Sequence, residues 1–154
     1  FIALSEVART LEAEGIGAEI VSIGTKAVQG CIACNKCGEL GGCVFRDELY
    51  DTLHGKLAGA DGLVVGSPTY NGQLYPPVDA LLRKIAERCI PHRRFACFGA
   101  FTGAGAAVRR MTEFAEGMKW PVVGAPVELK QGYSTAVEPA CRTLVDALVE
   151  DMKR

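Results

Sequence analysis

Four cysteines, Cys31, Cys34, Cys37 and Cys43, stand in a C-x2-C-x2-C-x5-C arrangement inside one glycine-rich stretch. Structural zinc usually draws on two separated knuckles, whereas thiolates repeated at a spacing of three are closer to cubane-type ligation. Gly30, Gly38, Gly41 and Gly42 let the backbone fold tightly enough for the thiolates to converge. Lys26 and Lys36 favour thiolate over thiol and offset the negative charge of a ligated cluster. The expectation is a [4Fe–4S] cluster on Cys31, Cys34, Cys37 and Cys43, with redox-active or merely structural thiols as the alternatives. Disulfides are disfavoured, because seven cysteines is an odd count and nothing indicates export. Cys89, Cys97 and Cys141 fall at apolar positions of expected elements, where a thiol behaves as a small hydrophobe.

Two other stretches carry site chemistry. Gly66-Ser67-Pro68-Thr69-Tyr70-Asn71-Gly72 and Gly99-Ala100-Phe101-Thr102-Gly103-Ala104-Gly105 both mix small residues with one aromatic, Tyr70 or Phe101. Small residues allow close backbone approach and the aromatic can face a flat ring. Simple turn-making explains the Gly, Pro and Asn residues equally well. Gly103-Ala104-Gly105 with Glu128 is a partial dinucleotide fingerprint, but Val108 replaces its third glycine, so no separate NAD site is expected. Arg88, His92, Arg93 and Arg94 read as a solvated helix end, whereas Arg109 and Arg110 are placed to dock a phosphate or an acidic partner. His54 stands without a nearby Cys or Ser, and no G-x-S-x-G elbow exists, so hydrolase chemistry has no support. No residue is assigned a catalytic role.

These residues need a scaffold, and the apolar pattern supplies one. Leu4, Val7, Ala8 and Leu11 repeat as on a helix that stops at Gly15 and Gly17. Ala18 to Ile23 reads as a strand, and the cysteine loop follows it. Asp47 can cap a second helix through Leu49, Leu53 and Leu57. Asp61 to Gly66 is a strand buried on both faces. After a loop from Ser67 to Tyr75, Pro76 and Pro77 open a third helix. Phe95 to Phe101 and Pro121 to Leu129 are strands flanking a helix from Ala104 to Met118, and a last helix carries Cys141, Leu144, Val145, Leu148 and Met152. Such alternation predicts an α/β three-layer sandwich with a doubly wound parallel sheet. Ligands of such sheets bind beyond the carboxyl ends of the strands, where both small-residue loops begin.

The chain has 154 residues, 49% hydrophobic and 23% charged, with net charge -1. That suits one domain over residues 1–154 and supplies no field to attract nucleic acid or anionic membrane. No apolar run approaches the roughly 20 residues of a membrane span, so a cytoplasmic protein is expected, with homo-oligomerisation left open.

GSPTYNGQLYPPV and FGAFTGAGAAVRRMTEF make residues 61 to 153 resemble the flavodoxin domain of flavodiiron proteins. GCIACNKC and GGCVFRDELYD make residues 1 to 66 similar to the NADPH-dependent FMN reductase and iron–sulfur flavoprotein family. Both resemblances imply a flavodoxin-like fold and bound FMN, with Ser67, Pro68, Thr69, Tyr70, Asn71 and Gly72 and then Phe101, Thr102 and Gly103 lining the flavin ring. The compact cysteine motif of iron–sulfur flavoproteins matches the four cysteines here. The implied function is an FMN-dependent oxidoreductase with NAD(P)H as electron donor and a ferredoxin-like or flavin-accepting redox partner. The alternative is a flavodoxin-like carrier domain serving a partner, without its own substrate. Both families hold the FMN phosphate in a loop after a first strand that is not visible here, since Phe1 begins inside the helix that should follow. The fold is therefore expected to lack that central strand, as from an N-terminal truncation, and either to be aggregation-prone or to pair the flanking strands directly.

Overall fold

The computed structural model describes residues 1–24, 26, 29–30, 32–41, 43–47, 50, 55–57, 59–87, 94–130 and 135–154. Cys31, Gly42, Leu49, Leu53, His54, Arg88, Cys89, His92 and Arg93, singled out above, lie outside the described residues.

The elements run α1 (Ile2–Ala13), α2 (Cys37–Leu40), β1 (Gly62–Tyr70), β2 (Gln73–Leu74), α3 (Pro76–Glu87), β3 (Arg94–Phe101), α4 (Ala107–Gly117), β4 (Val127–Lys130) and α5 (Val137–Met152). The sheet order is β2-β1-β3-β4. β1 pairs parallel with β3 from Gly62 opposite Arg94 to Pro68 opposite Ala100, and β3 pairs parallel with β4.

β3 shows why the sheet is covered on both sides. Phe95 and Cys97 join a core with Leu82, Ile85, Met111 and Trp120, whereas Ala96 and Phe98 join one with Val7, Leu11, Leu144 and Val145. Successive strand side chains point to opposite faces, so α3 and α4 cover one face and α1 and α5 the other. The result is the expected three-layer α/β sandwich.

Close packing constrains two glycines. A Cβ on Gly66 would lie 2.3 Å from the ring of Phe98, its partner across the β1–β3 ladder. One on Gly99 would meet Val108 Cγ2 at 2.9 Å. Gly99, not the third fingerprint position, is therefore the glycine that lets α4 lie against the sheet.

Three strand assignments are corrected. Residues 18–23 form no strand, although Val21 and Ile23 pack against the core; an extended segment becomes a strand only with a ladder partner, and among the described residues it has none. Pro121 to Leu129 is not one strand. Val122 makes only an isolated bridge to Phe95, and Gly124 at φ +72° turns the chain before β4 begins at Val127. The stretch read as a loop from Ser67 to Tyr75 is instead a hairpin, with β1 running through Tyr70 and β2 returning antiparallel.

Of the two alternatives expected for a missing central strand, direct pairing of residues 18–23 with β1 is not seen among the described residues. A groove of about 890 Å³ separates the two segments. Leu4, Val7 and Leu11 line it from one layer and Leu57, Val78 and Leu81 from the other. Along this groove the edge of β1 has no strand partner among the described residues. No helix among the described residues is long and apolar enough to cross a membrane.

Candidate functional site

The carboxyl ends of β1 and β3 lie side by side, because Pro68 is in register with Ala100. Beyond them the chain does two different things. After β1, Asn71 and Gly72 take φ values of +48° and +70° and close a two-residue turn between Tyr70 and Gln73. Positive φ at both central positions is the pattern of the primed hairpin turns that Asn-Gly favours. After β3, residues 102–105 form an exposed loop that runs into α4.

Thr69 holds these two structures together. Its Oγ1 accepts the backbone N–H of Ala106 at 3.2 Å and of Ala107 at 3.3 Å. α4 has no side-chain cap from its own Ala106. The first N–H groups of a helix have no intrahelical partner, so a threonine from a neighbouring strand performs the capping. Thr69 therefore acts as a clasp, with its hydroxyl committed to the protein.

Ser67 is likewise committed. It is buried, donates to Pro68 O at 2.9 Å, and accepts the N–H of Tyr75 at 3.3 Å. The exposed surface beyond β1 thus belongs to Tyr70, Asn71 and Gly72, with Tyr70 at 56%. Pro68 is exposed beside the groove. Phe101 is half-buried, and Thr102 and Gly103 are open to solvent. The N–H groups of Gly103, Ala104 and Gly105 have no acceptor among the described residues. An exposed aromatic face beside an open loop with free backbone donors fits a flat, heteroatom-rimmed ring such as a flavin.

Of two further residues at this end, Tyr75 was not singled out from sequence and Glu128 was read only as part of a partial dinucleotide fingerprint. Tyr75 donates its N–H to Ser67, sets its ring edge-on to Tyr70 at 6.4 Å, and places its OH 3.4 Å from Gly24 O. It therefore ties the start of the cysteine loop to the hairpin. The Glu128 carboxylate sits close to Gly105, where a Cβ would lie 3.0 Å from its Oε1 and 3.2 Å from the Phe101 ring. The Asn-Gly turn was the available signal for the hairpin; nothing in local sequence marks Tyr75.

The cysteine loop carries α2, which starts at Cys37, with Ala33 and Asn35 at positive φ on either side of exposed Cys34. Cys37 and Cys43 are half-buried. Among the described residues no three Cys, His, Asp or Glu side chains gather to hold a metal ion; Cys31, one of the four residues of the expected cubane set, lies outside the described residues. Cys97 and Cys141 are buried as expected. Burial pushes both thiols above the usual range, offset in part at Cys97 by Thr112 and reinforced at Cys141 by the charge of Glu6.

Arg110 pairs with Glu113 at 3.5 Å, and Arg109 is exposed on the first turn of α4.

The chain is similar to several known proteins. An iron–sulfur flavoprotein of Methanocaldococcus jannaschii is 36% identical over 88 residues, 57% of this chain and 43% of its own. One from Methanosarcina thermophila is 34% identical over 80 residues, 52% of this chain and 39% of its own. The matched stretch thus spans about two fifths of these relatives' length. Rubredoxin oxygen:oxidoreductase from Desulfovibrio gigas superposes with a TM-score of 0.76 at 20% identity, over 99% of this chain and 32% of that one. A flavodoxin from the domain Archaea superposes with a TM-score of 0.73 at 14% identity, over 99% and 90%. These likenesses show a flavodoxin-like fold. Residues 1–132 match the NADPH-dependent FMN reductase family, and the chain belongs to that family of flavin-binding oxidoreductases.

Proposed function

We propose that the chain holds FMN against Tyr70 and the 101–105 loop as part of an oxidoreductase that takes electrons from NAD(P)H. The observation that carries this reading is the clasp. Thr69 binds the start of α4 to β1, so the exposed aromatic of one loop and the free N–H groups of the other keep a fixed separation. When bound, FMN supplies reversible hydride and electron transfer, and the protein supplies orientation, polar contacts and exclusion of water.

Tyr70 offers its ring to one face of the isoalloxazine and shields that face from water. The N–H groups of Gly103, Ala104 and Gly105 are placed to donate to the polar rim of the ring. Asn71 and Gly72 keep the backbone close enough for contact because both residues tolerate positive φ. Arg109 adds a cation at the same end, suited to a nucleotide phosphate. Iron–sulfur flavoproteins are so named among the relatives. The flavin chemistry proposed here requires none of the cysteines.

The exposure of Tyr70 equally suits a carrier domain that exchanges electrons with a protein partner. Anaerobic mixing of the FMN-loaded protein with NADPH separates the two. Bleaching of the flavin absorbance at a saturating rate supports the reductase. Flavin that NADPH leaves oxidised, yet dithionite reduces, supports the carrier.

A further inference from the structure

Asp47 makes more hydrogen bonds than an N-cap needs. Its Oδ1 accepts the N–H of Tyr50 at 2.8 Å, which is the capping bond expected from sequence. Its Oδ2 accepts the N–H of Gln29 at 3.0 Å and the Nζ of Lys84 at 2.6 Å. Gln29 precedes the cysteine loop and Asp47 follows it, so one carboxylate closes the loop at its neck. Lys84 lies on α3, and its side chain is only 4% exposed. A buried ammonium needs a partner, since leaving it unpaired costs several kcal/mol. Among the described residues Asp47 is that partner. The same loop enters beside Tyr75, whose OH meets Gly24 O. It is thus tied at its entry to the hairpin and at its neck to a buried cation on α3.

We propose that Asp47, clamped by Lys84, is the positioning residue of the cysteine loop, holding residues 29 and 47 together and thereby setting the placement of Cys34, Cys37 and Cys43. The clamp stands on geometry alone and is independent of the functional reading above. Burial raises the Asp47 carboxyl, but Lys84, Gln29 and Tyr50 outweigh it and hold it below the usual carboxylate range. The clamp is therefore charged at neutral pH.

The chain carries its own control for a test. Cys97 and Cys141 are buried in the two cores, at 0% and 1% exposure, and report global opening. Cys34, Cys37 and Cys43 report the loop. The experiment is residue-resolved alkylation of the reduced protein with iodoacetamide, read by peptide mass spectrometry and requiring no flavin. Asp47→Asn leaves Lys84 buried without a counter-charge and can fail to fold, so the deciding variant is Asp47→Asn with Lys84→Met, which removes both charges. In the unaltered protein Cys34 reacts faster than Cys37 and Cys43. In the double variant Cys37 and Cys43 should accelerate about tenfold or more, the equivalent of one lost charge-assisted hydrogen bond. Cys97 and Cys141 should stay slow. Unchanged rates at Cys37 and Cys43 overturn the proposal. So does a parallel rise at Cys97 and Cys141, because the pair then supports the whole fold and not the loop. Failure of NADPH to reduce the flavin would leave these rates untouched, so the two ideas fail separately.

Discussion

Replacing Thr69 with Val tests the clasp with little change in side-chain volume. The substitution removes one acceptor and leaves the N–H groups of Ala106 and Ala107 without their partner. Loss of an N-cap costs about 0.5–2 kcal/mol. Here the cost should lie toward the upper end, because Ala106 and Ala107 are 7% and 1% exposed and water replaces the lost acceptor poorly. An orphaned buried donor costs about 1–3 kcal/mol, and the two N–H groups share one oxygen, so we expect about 2 kcal/mol. For a chain of this length that lowers the melting temperature by about 4–8 °C. Urea denaturation gives the free energy, and quenching of flavin fluorescence gives the FMN affinity, which should fall because the 101–105 loop is no longer held to β1. Thr69→Ser keeps the oxygen and should recover most of both. The reasoning is refuted if the Val variant unfolds at the unaltered urea midpoint, or if Ser is as damaging as Val.

Gly66→Ala forces a Cβ to within 2.3 Å of the Phe98 ring; overpacking of this kind costs about 1–3 kcal/mol, and adding Phe98→Leu should return part of the loss in a urea titration. Asp47 titrates lower in the folded chain than unfolded, so its contribution is complete above its ordinary range near pH 4. It disappears as the pH falls through the depressed folded value; denaturation of the unaltered protein and the Asp47→Asn, Lys84→Met variant from pH 7 to 3 should show a steeper loss in the former. Tyr70→Ala should weaken FMN binding while lowering the unfolding free energy by no more than a few tenths of a kcal/mol, as befits an exposed residue. The protein should bind an apolar dye such as ANS in the groove beside β1, and absence of dye fluorescence would count against an open groove.

The sandwich was readable because its elements advertise themselves. β3 alternates between two cores, and the run before it matches a strand buried on both sides. Pro76 and Pro77 marked the start of α3, and Asp47 was recognisable as a cap. What escaped depends on partners distant in sequence. Ala18 to Ile23 has strand composition, yet strand formation is a property of a pair, and no local pattern reveals whether a partner strand lies beside it. Gly124 and Pro126 should have interrupted the strand drawn from Pro121, but the apolar residues on either side concealed the break.

The site was half legible for the same reason. Small residues and an aromatic drew attention to two loops that lie at the carboxyl ends of β1 and β3. They did not distinguish residues that face outward from those the protein uses itself. Ser67 and Thr69 both have hydroxyls suited to a ligand, and both hydroxyls bind backbone groups of other segments. Asp47 and Lys84 stand 37 residues apart, so only the fold makes them a pair.

The central claim is that flavin sits at the carboxyl ends of β1 and β3. Hydrogen–deuterium exchange with and without saturating FMN locates it directly. FMN should slow exchange in residues 70–74 and 101–106 and leave the amino ends of the same strands, residues 62–64 and 94–96, as they were. Protection absent from both loops, or confined to other segments, would contradict the account.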